Sequence, residues 1–166
     1  MDLGRVVWSS EGLHVGLELP AGLALRTGNV EPSADFDSWF LPGTLYMMLN
    51  PSGDRALSYS AHDRCVVLFR DAAGRLTSSA LVLRTATLIE SSETPAAWVQ
   101  LEEAAGRILV TIAPEGSGLG ALHPEMEMGF NIILIGADSQ VVSWVPLTRR
   151  FSWDQPSAWG LLTLSD

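Results

Sequence analysis

Three histidines, one cysteine and 19 acidic residues are the side chains of this 166-residue chain that could move protons, attack carbonyl groups or hold metals. His14, His62 and His123 stand far apart, and none belongs to an H-x-x-x-H or C-x-x-C pair, so spacing offers no transition-metal site. Cys65 is alone, which excludes an internal disulfide. It lies in the apolar run Cys65–Phe69 and reads as a buried strand residue, not a reactive thiol. All ten basic residues are Arg, so Schiff-base chemistry and the usual phosphate-loop lysine are both absent. Glu102 and Glu103 are adjacent on an expected strand and so point to opposite faces, which no acid–base pair does. The segment Gly116-Ser117-Gly118-Leu119-Gly120 has the wrong spacing for a dinucleotide loop, and Pro124 blocks the helix that would hold the phosphate. It is not a G-x-S-x-G elbow either, and reads as a flexible loop. No catalytic set emerges, and an enzyme is not expected.

Asp35, Asp37, Asp54, Asp63 and Asp138 fall in or beside expected turns, where carboxylates and carbonyls can gather around calcium. None follows the EF-hand pattern; Asp54 and Asp138 are the candidate ligands of a structural calcium ion. Met47, Met48, Met126 and Met128 could pair with a histidine on haem, although methionines in strands are more often core filler. The six tryptophans exceed what a core of this size requires. Trp98 and Trp144 fall inside expected strands and read as core; Trp8 precedes the first clear strand and is expected to cover an end of the core. Trp39 and Trp153 sit in loop contexts, Phe36-Asp37-Ser38-Trp39-Phe40 and Phe151-Ser152-Trp153-Asp154-Gln155-Pro156. An exposed indole is costly unless something flat covers it, and the C–H face of a sugar ring is one such cover.

The elements that must position these residues are strands. In Leu13–Leu19 the apolar set is Leu13, Val15, Leu17 and Leu19, while His14, Gly16 and Glu18 face the other way. Thr44–Leu49, Cys65–Phe69 and Ala80–Ile89 follow as strands. Ala97–Glu103 and Arg107–Ala113 form a hairpin across a short Ala-Ala-Gly turn. Met128–Ile135 is apolar on both faces and reads as a central strand; Val141–Val145 and Gly160–Leu164 complete the set. Turn-formers separate these runs, and no amphipathic helix is offered. The pattern predicts an all-β fold: one antiparallel β-sandwich over residues 1–166, of the jelly-roll or immunoglobulin-like kind, with about nine to eleven strands. The long connections Thr27–Leu41 and Pro114–Glu127 are where binding residues are expected.

A net charge of −9 supplies no concentrated basic surface, so nucleic acid is not an expected partner. No run approaches the roughly 20 apolar residues of a membrane helix, and no membrane association is expected. The N-terminus MDLGRVVWSSEG shows no basic segment followed by an apolar one, so no secretory signal is visible; location stays open between the cytoplasm, which Met1 favours, and export with the signal already removed. Composition says nothing about oligomeric state.

The string Met128-Gly129-Phe130-Asn131-Ile132-Ile133-Leu134, then Ala137-Asp138, Ser143-Trp144 and Pro156-Ser157-Ala158-Trp159-Gly160 before Leu161–Leu164, resembles the C-terminal half of family 9 carbohydrate-binding modules. Upstream, Glu11–Val15, Trp39 with Gly43-Thr44-Leu45-Tyr46, and Ile112-Ala113-Pro114 with Leu119-Gly120 fall in compatible order. The resemblance implies a sandwich that holds a terminal saccharide unit between two tryptophans, with calcium as a structural ion. Trp39 and Trp153 would be the stacking pair, Arg64 the sugar-contacting arginine, and Asn131 and Gln155 amide contacts. An Arg fork suits adjacent hydroxyls, being permanently charged and rich in donors. One position departs: six residues past the first tryptophan the family carries an acidic side chain, and here Leu45 stands there. That removes a charge-assisted hydrogen bond of roughly 1.5–3 kcal/mol. The same superfamily includes haem-binding members, so a haem electron-transfer module is the alternative, and an interaction domain that has lost its ligand is a third.

Overall fold

The computed structural model describes residues 4–19, 24–28, 41–54, 60–83, 89–138, 140–145 and 159–165. Among these, eleven strands run β1 Gly4–Ser9, β2 Gly12–Glu18, β3 Thr44–Asn50, β4 Arg64–Arg70, β5 Leu76–Leu83, β6 Ile89–Glu93, β7 Val99–Ala104, β8 Arg107–Ile112, β9 Glu127–Ile135, β10 Val141–Ser143 and β11 Gly160–Thr163. They form a four-stranded sheet, β1-β2-β8-β7, and a seven-stranded sheet, β10-β9-β3-β4-β5-β6, in which β11 shares the outer edge of β9 with β10. Every strand pairing is antiparallel. The all-β sandwich expected from the alternation is the fold observed.

Alternation decides which side of each strand is buried. Leu13, Val15 and Leu17 of β2 and Ile108, Val110 and Ile112 of β8 turn inward. They meet Leu45, Met47 and Leu49 of β3, Val66 and Leu68 of β4, and Met128, Phe130, Ile132 and Leu134 of β9, forming the core between the layers. The larger sheet is buried on its other face as well. Tyr46, Met48, Cys65, Val67, Phe69, Leu81, Ile133, Ile135 and Trp159 form a second, outer cluster. That is why β3, β4 and β9 read as unbroken apolar runs while β2 and β8 alternate.

Several expectations shift. β1 contains Trp8, which the alternation puts ahead of the first clear strand; its Nε1 donates to the Ser165 carbonyl at 2.9 Å. The expected strand Ala80–Ile89 is two elements, β5 and β6, with a register shift between Val82 and Leu83. Trp98 precedes β7 and Trp144 follows β10, and neither lies in a strand. Trp144 is 38% exposed, its ring edge-to-face with Phe130 at 5.3 Å, because the short β10 ends before it can be carried inside. The glycine loop is pinned, not flexible. Ser117 and Leu119 are buried, Ser117 Oγ donates to the Pro114 carbonyl at 3.0 Å, and positive φ at Gly116, Gly118 and Gly120 folds the chain tightly enough to seat Leu119 in the core.

Candidate binding site

One end of the sandwich gathers three loops: 50–54 after β3, 60–63 before β4, and 113–120 after β8. Arg64 opens β4 in register with Leu49, which pairs with Phe130, so it lies on the inner side of the large sheet at that end. Its Nη1 donates to the carbonyls of Ala61 at 2.7 Å and Asp63 at 3.0 Å. A β-carbon built on Gly118 would stand 3.5 Å from its Nη2, which places the glycine loop beside the guanidinium. The fork is thus held by the backbone before any ligand arrives, and it is only partly buried.

Asp63 beneath it is fully buried. Its Oδ2 accepts from the Ser60 backbone N–H at 2.5 Å, and its own N–H donates to the Ser60 carbonyl at 3.1 Å, closing the loop. Burial, with a smaller contribution from the charge of Asp54, pushes the Asp63 carboxyl above its ordinary range. Asn50, 1% exposed, donates from Nδ2 to Asp54 Oδ1 at 3.0 Å and accepts from Ser52 Oγ at 3.2 Å. Gly129 on the neighbouring strand is what admits it: a β-carbon there would stand 2.9 Å from the Asn50 β-carbon and 3.7 Å from Trp159. Asn50 and Asp63 each stand one residue away from Leu49 and Arg64, so by alternation they face the outer side and, being buried, they brace the loops. The partly buried guanidinium is the group here that can hydrogen-bond hydroxyls, and among the described residues of this cluster no nucleophile is paired with a base.

The sequence-predicted residues separate. Trp39, Trp153 and Gln155 lie outside the described residues, as do Asp35 and Asp37. Asn131 aligns with Met48, which pairs with Cys65, and so belongs to the outer face of the large sheet, opposite to Arg64. It is fully buried, and its Oδ1 accepts from Ile132 N at 2.9 Å, Ser143 Oγ at 3.1 Å and Val145 N at 3.0 Å. Its side chain ties β10 to β9 and has no exposed surface to offer a ligand. Leu45 also needs correction. It is 1% exposed in the interlayer core, so a carboxylate at that position would lie among leucines instead of reaching a surface ligand. Its apolar character takes nothing from a surface site.

Asp54 and Asp138 do not fit one calcium ion. β3 and β9 pair antiparallel from Thr44–Ile135 to Asn50–Gly129. Asp54 follows the Asn50 end and Asp138 the Ile135 end, a separation of roughly 20 Å at the strand rise. Asp138 Oδ1 instead accepts from Gln140 N at 3.1 Å, capping its turn. Among the described residues no group of three His, Cys, Asp or Glu side chains is placed to hold a metal. For haem, Met47 and Met128 lie in the interlayer core and Met48 in the outer cluster. His14 stands on the solvent side of the small sheet, with both ring nitrogens bonded, to Ser9 Oγ at 2.8 Å and Thr111 Oγ1 at 3.1 Å.

No protein-family model matches the chain, and no curated protein does. Solved structures do. A carbohydrate-binding module of family 9 from Caldicellulosiruptor kristjanssonii in complex with glucose matches at TM-score 0.60 and 16% identity, over 97% of this chain and 74% of that one. The same kind of module from that organism in complex with cellotriose matches at TM-score 0.61 and 17% identity, over 98% of this chain and 73% of that one. With its two antiparallel sheets in this order, the chain has the fold of the family 9 carbohydrate-binding modules.

Proposed function

We propose that the chain is a non-catalytic carbohydrate-binding module that takes a terminal saccharide unit at the loop end of the sandwich. Arg64 supplies donors to adjacent hydroxyls, and Trp39 and Trp153 are the proposed stacking indoles, with Gln155 as an amide contact. The observation that carries the reading is the partly exposed guanidinium fixed on the Ala61 and Asp63 backbone carbonyls at the loop end, in a fold whose solved counterparts hold glucose and cellotriose. Pre-positioning matters because a donor that need not be ordered on binding loses less side-chain entropy. Gluco-configured sugars are the first ligands to test. Titration with glucose and cellotriose should shift intrinsic tryptophan fluorescence, and Arg64→Ala should weaken the response by about tenfold or more. A folded protein with a flat response across a broad glycan panel would contradict the proposal.

A further inference from the structure

The outer face of the four-stranded sheet carries a groove of about 710 Å³, within the range of ligand pockets, at the opposite layer from the outer cluster of the large sheet. Its floor crosses Gly16 and Leu109, and Arg5, Glu18, Glu102 and Arg107 stand around it. Register sets these side by side: Arg5, Gly16, Leu109 and Glu102 lie in one row across the strands, and Glu18 and Arg107 are neighbours in the next. The adjoining row is braced by His14, which bonds to Ser9 and Thr111.

Gly16 is the informative residue. Glycine inside a strand weakens it, and normally marks a bulge, a close backbone approach or a ligand. The other strand glycines among the described residues have internal reasons. A β-carbon at Gly4 would meet the Gly16 carbonyl oxygen at 1.9 Å, at Gly12 the Ile112 oxygen at 2.3 Å, at Gly129 Asn50 at 2.9 Å, and at Gly160 Val145 at 2.7 Å. At Gly16 the nearest atom would be the Arg5 carbonyl oxygen at 3.9 Å, its pairing with β1 and β8 is unbroken, and its φ is not positive. Among the described residues no atom would crowd a β-carbon there, and the room it leaves lies over the sheet.

We infer that this groove is a second ligand site, and that its ligand is a neutral oligosaccharide laid across Gly16 and Leu109. Arg107 and Glu18 pair with each other at 2.7 Å, while Arg5 and Glu102 stand at the two ends of the Gly16–Leu109 row as a donor and an acceptor, so the walls balance in charge and favour neither anions nor cations. A hydroxyl both donates and accepts, and a row of hydroxyls can be satisfied by such alternating walls. Leu109, 38% exposed, and the glycine face offer apolar contact to ring C–H groups. The ligand class rests on the proposed function, but the site does not share a residue with it. Among the described residues no aromatic ring lines the groove, so binding is weaker than at an indole pair.

The test is residue-resolved amide NMR during cellotriose titration of the full chain, wild type and variants. The expected result is a set of shifts at Gly16, Leu109 and Glu102 that survives Arg64→Ala. Gly16→Val, which suits a strand and fills the floor, should weaken that set by about tenfold or more while leaving shifts around Arg64 in place. Glu102→Ala, at an exposed position, gives a second reading should Gly16→Val disturb folding. Shifts confined to the Arg64 end would overturn the groove and leave the first site standing. Shifts in the groove alone would overturn the first site and leave the groove. An acidic oligosaccharide binding the groove more tightly than cellotriose would overturn the neutral ligand.

Discussion

Asp63 shows how a side chain can build a site while opposing the stability of the fold. Its carboxyl titrates above its ordinary 3.8 because burial disfavours the charged form. The folded state therefore holds that proton more tightly than the unfolded chain, and stability from this group falls as pH rises from about 3.8 through the raised value. Asp63→Asn should remove that falling component, seen in chemical denaturation at pH 4 and pH 7 as a smaller loss between the two; an unchanged pH dependence would contradict it. Cys65 is fully buried, and its thiol is pushed up by burial, so little thiolate forms at neutral pH. Thiol reagents should label it only after denaturation, and rapid native labelling would show that the outer cluster opens. Arg64 and Trp153 stood out in the sequence through a resemblance, whereas Asn50 did not, since its role depends on Gly129, far away in the chain. Asn131 was legible as a polar residue in an apolar strand; only the register shows that it braces β10.

At the scale of elements, strands were legible where one face is wet. β2 alternates cleanly because its outward residues face solvent, and it was read almost to its ends. β1 has the same geometry but places Val7, 60% exposed, on the outward side, which hides the alternation. In β5, Ser78 and Ser79 are buried and paired with β4, so the strand begins ahead of Ala80, where the apolar pattern starts it. The β7–β8 hairpin turns through Ala105 at φ 52° and Gly106 at φ 78°, the mirror-image turn that suits strand twist. A left-handed alanine costs about 1–2 kcal/mol, partly offset by the unfolded-state entropy of glycine. Ala105→Gly should accordingly stabilise by up to about 1 kcal/mol in denaturant titration, and destabilisation would argue against this turn.

At the scale of the molecule, the two layers are joined by apolar packing and, among the described residues, by an ion pair that spans them: Arg70 of β4 grips Glu103 of β7 through contacts of 2.5 and 3.0 Å. The guanidinium holds the Glu103 carboxyl below its ordinary 4.5, so this stabilisation is present above that pH and fades as pH falls through the lowered value. The pair is partly exposed, which limits it to about 1 kcal/mol. Glu103→Gln should lower stability by that amount at pH 7 and become indistinguishable from wild type in strong acid. The strands and their sandwich class follow from alternation and turns; the strand order in each layer and the loops that meet at one end do not, because β3, β4 and β8 are brought together only by the completed sandwich. The most direct measurement of the central claim is a crystal structure of the chain with cellotriose. The account predicts a sugar ring between the indoles of Trp39 and Trp153, about 7–8 Å apart, with Arg64 bonded to its hydroxyls. Indoles far apart or packed among aliphatic side chains, with no saccharide near Arg64, would contradict it.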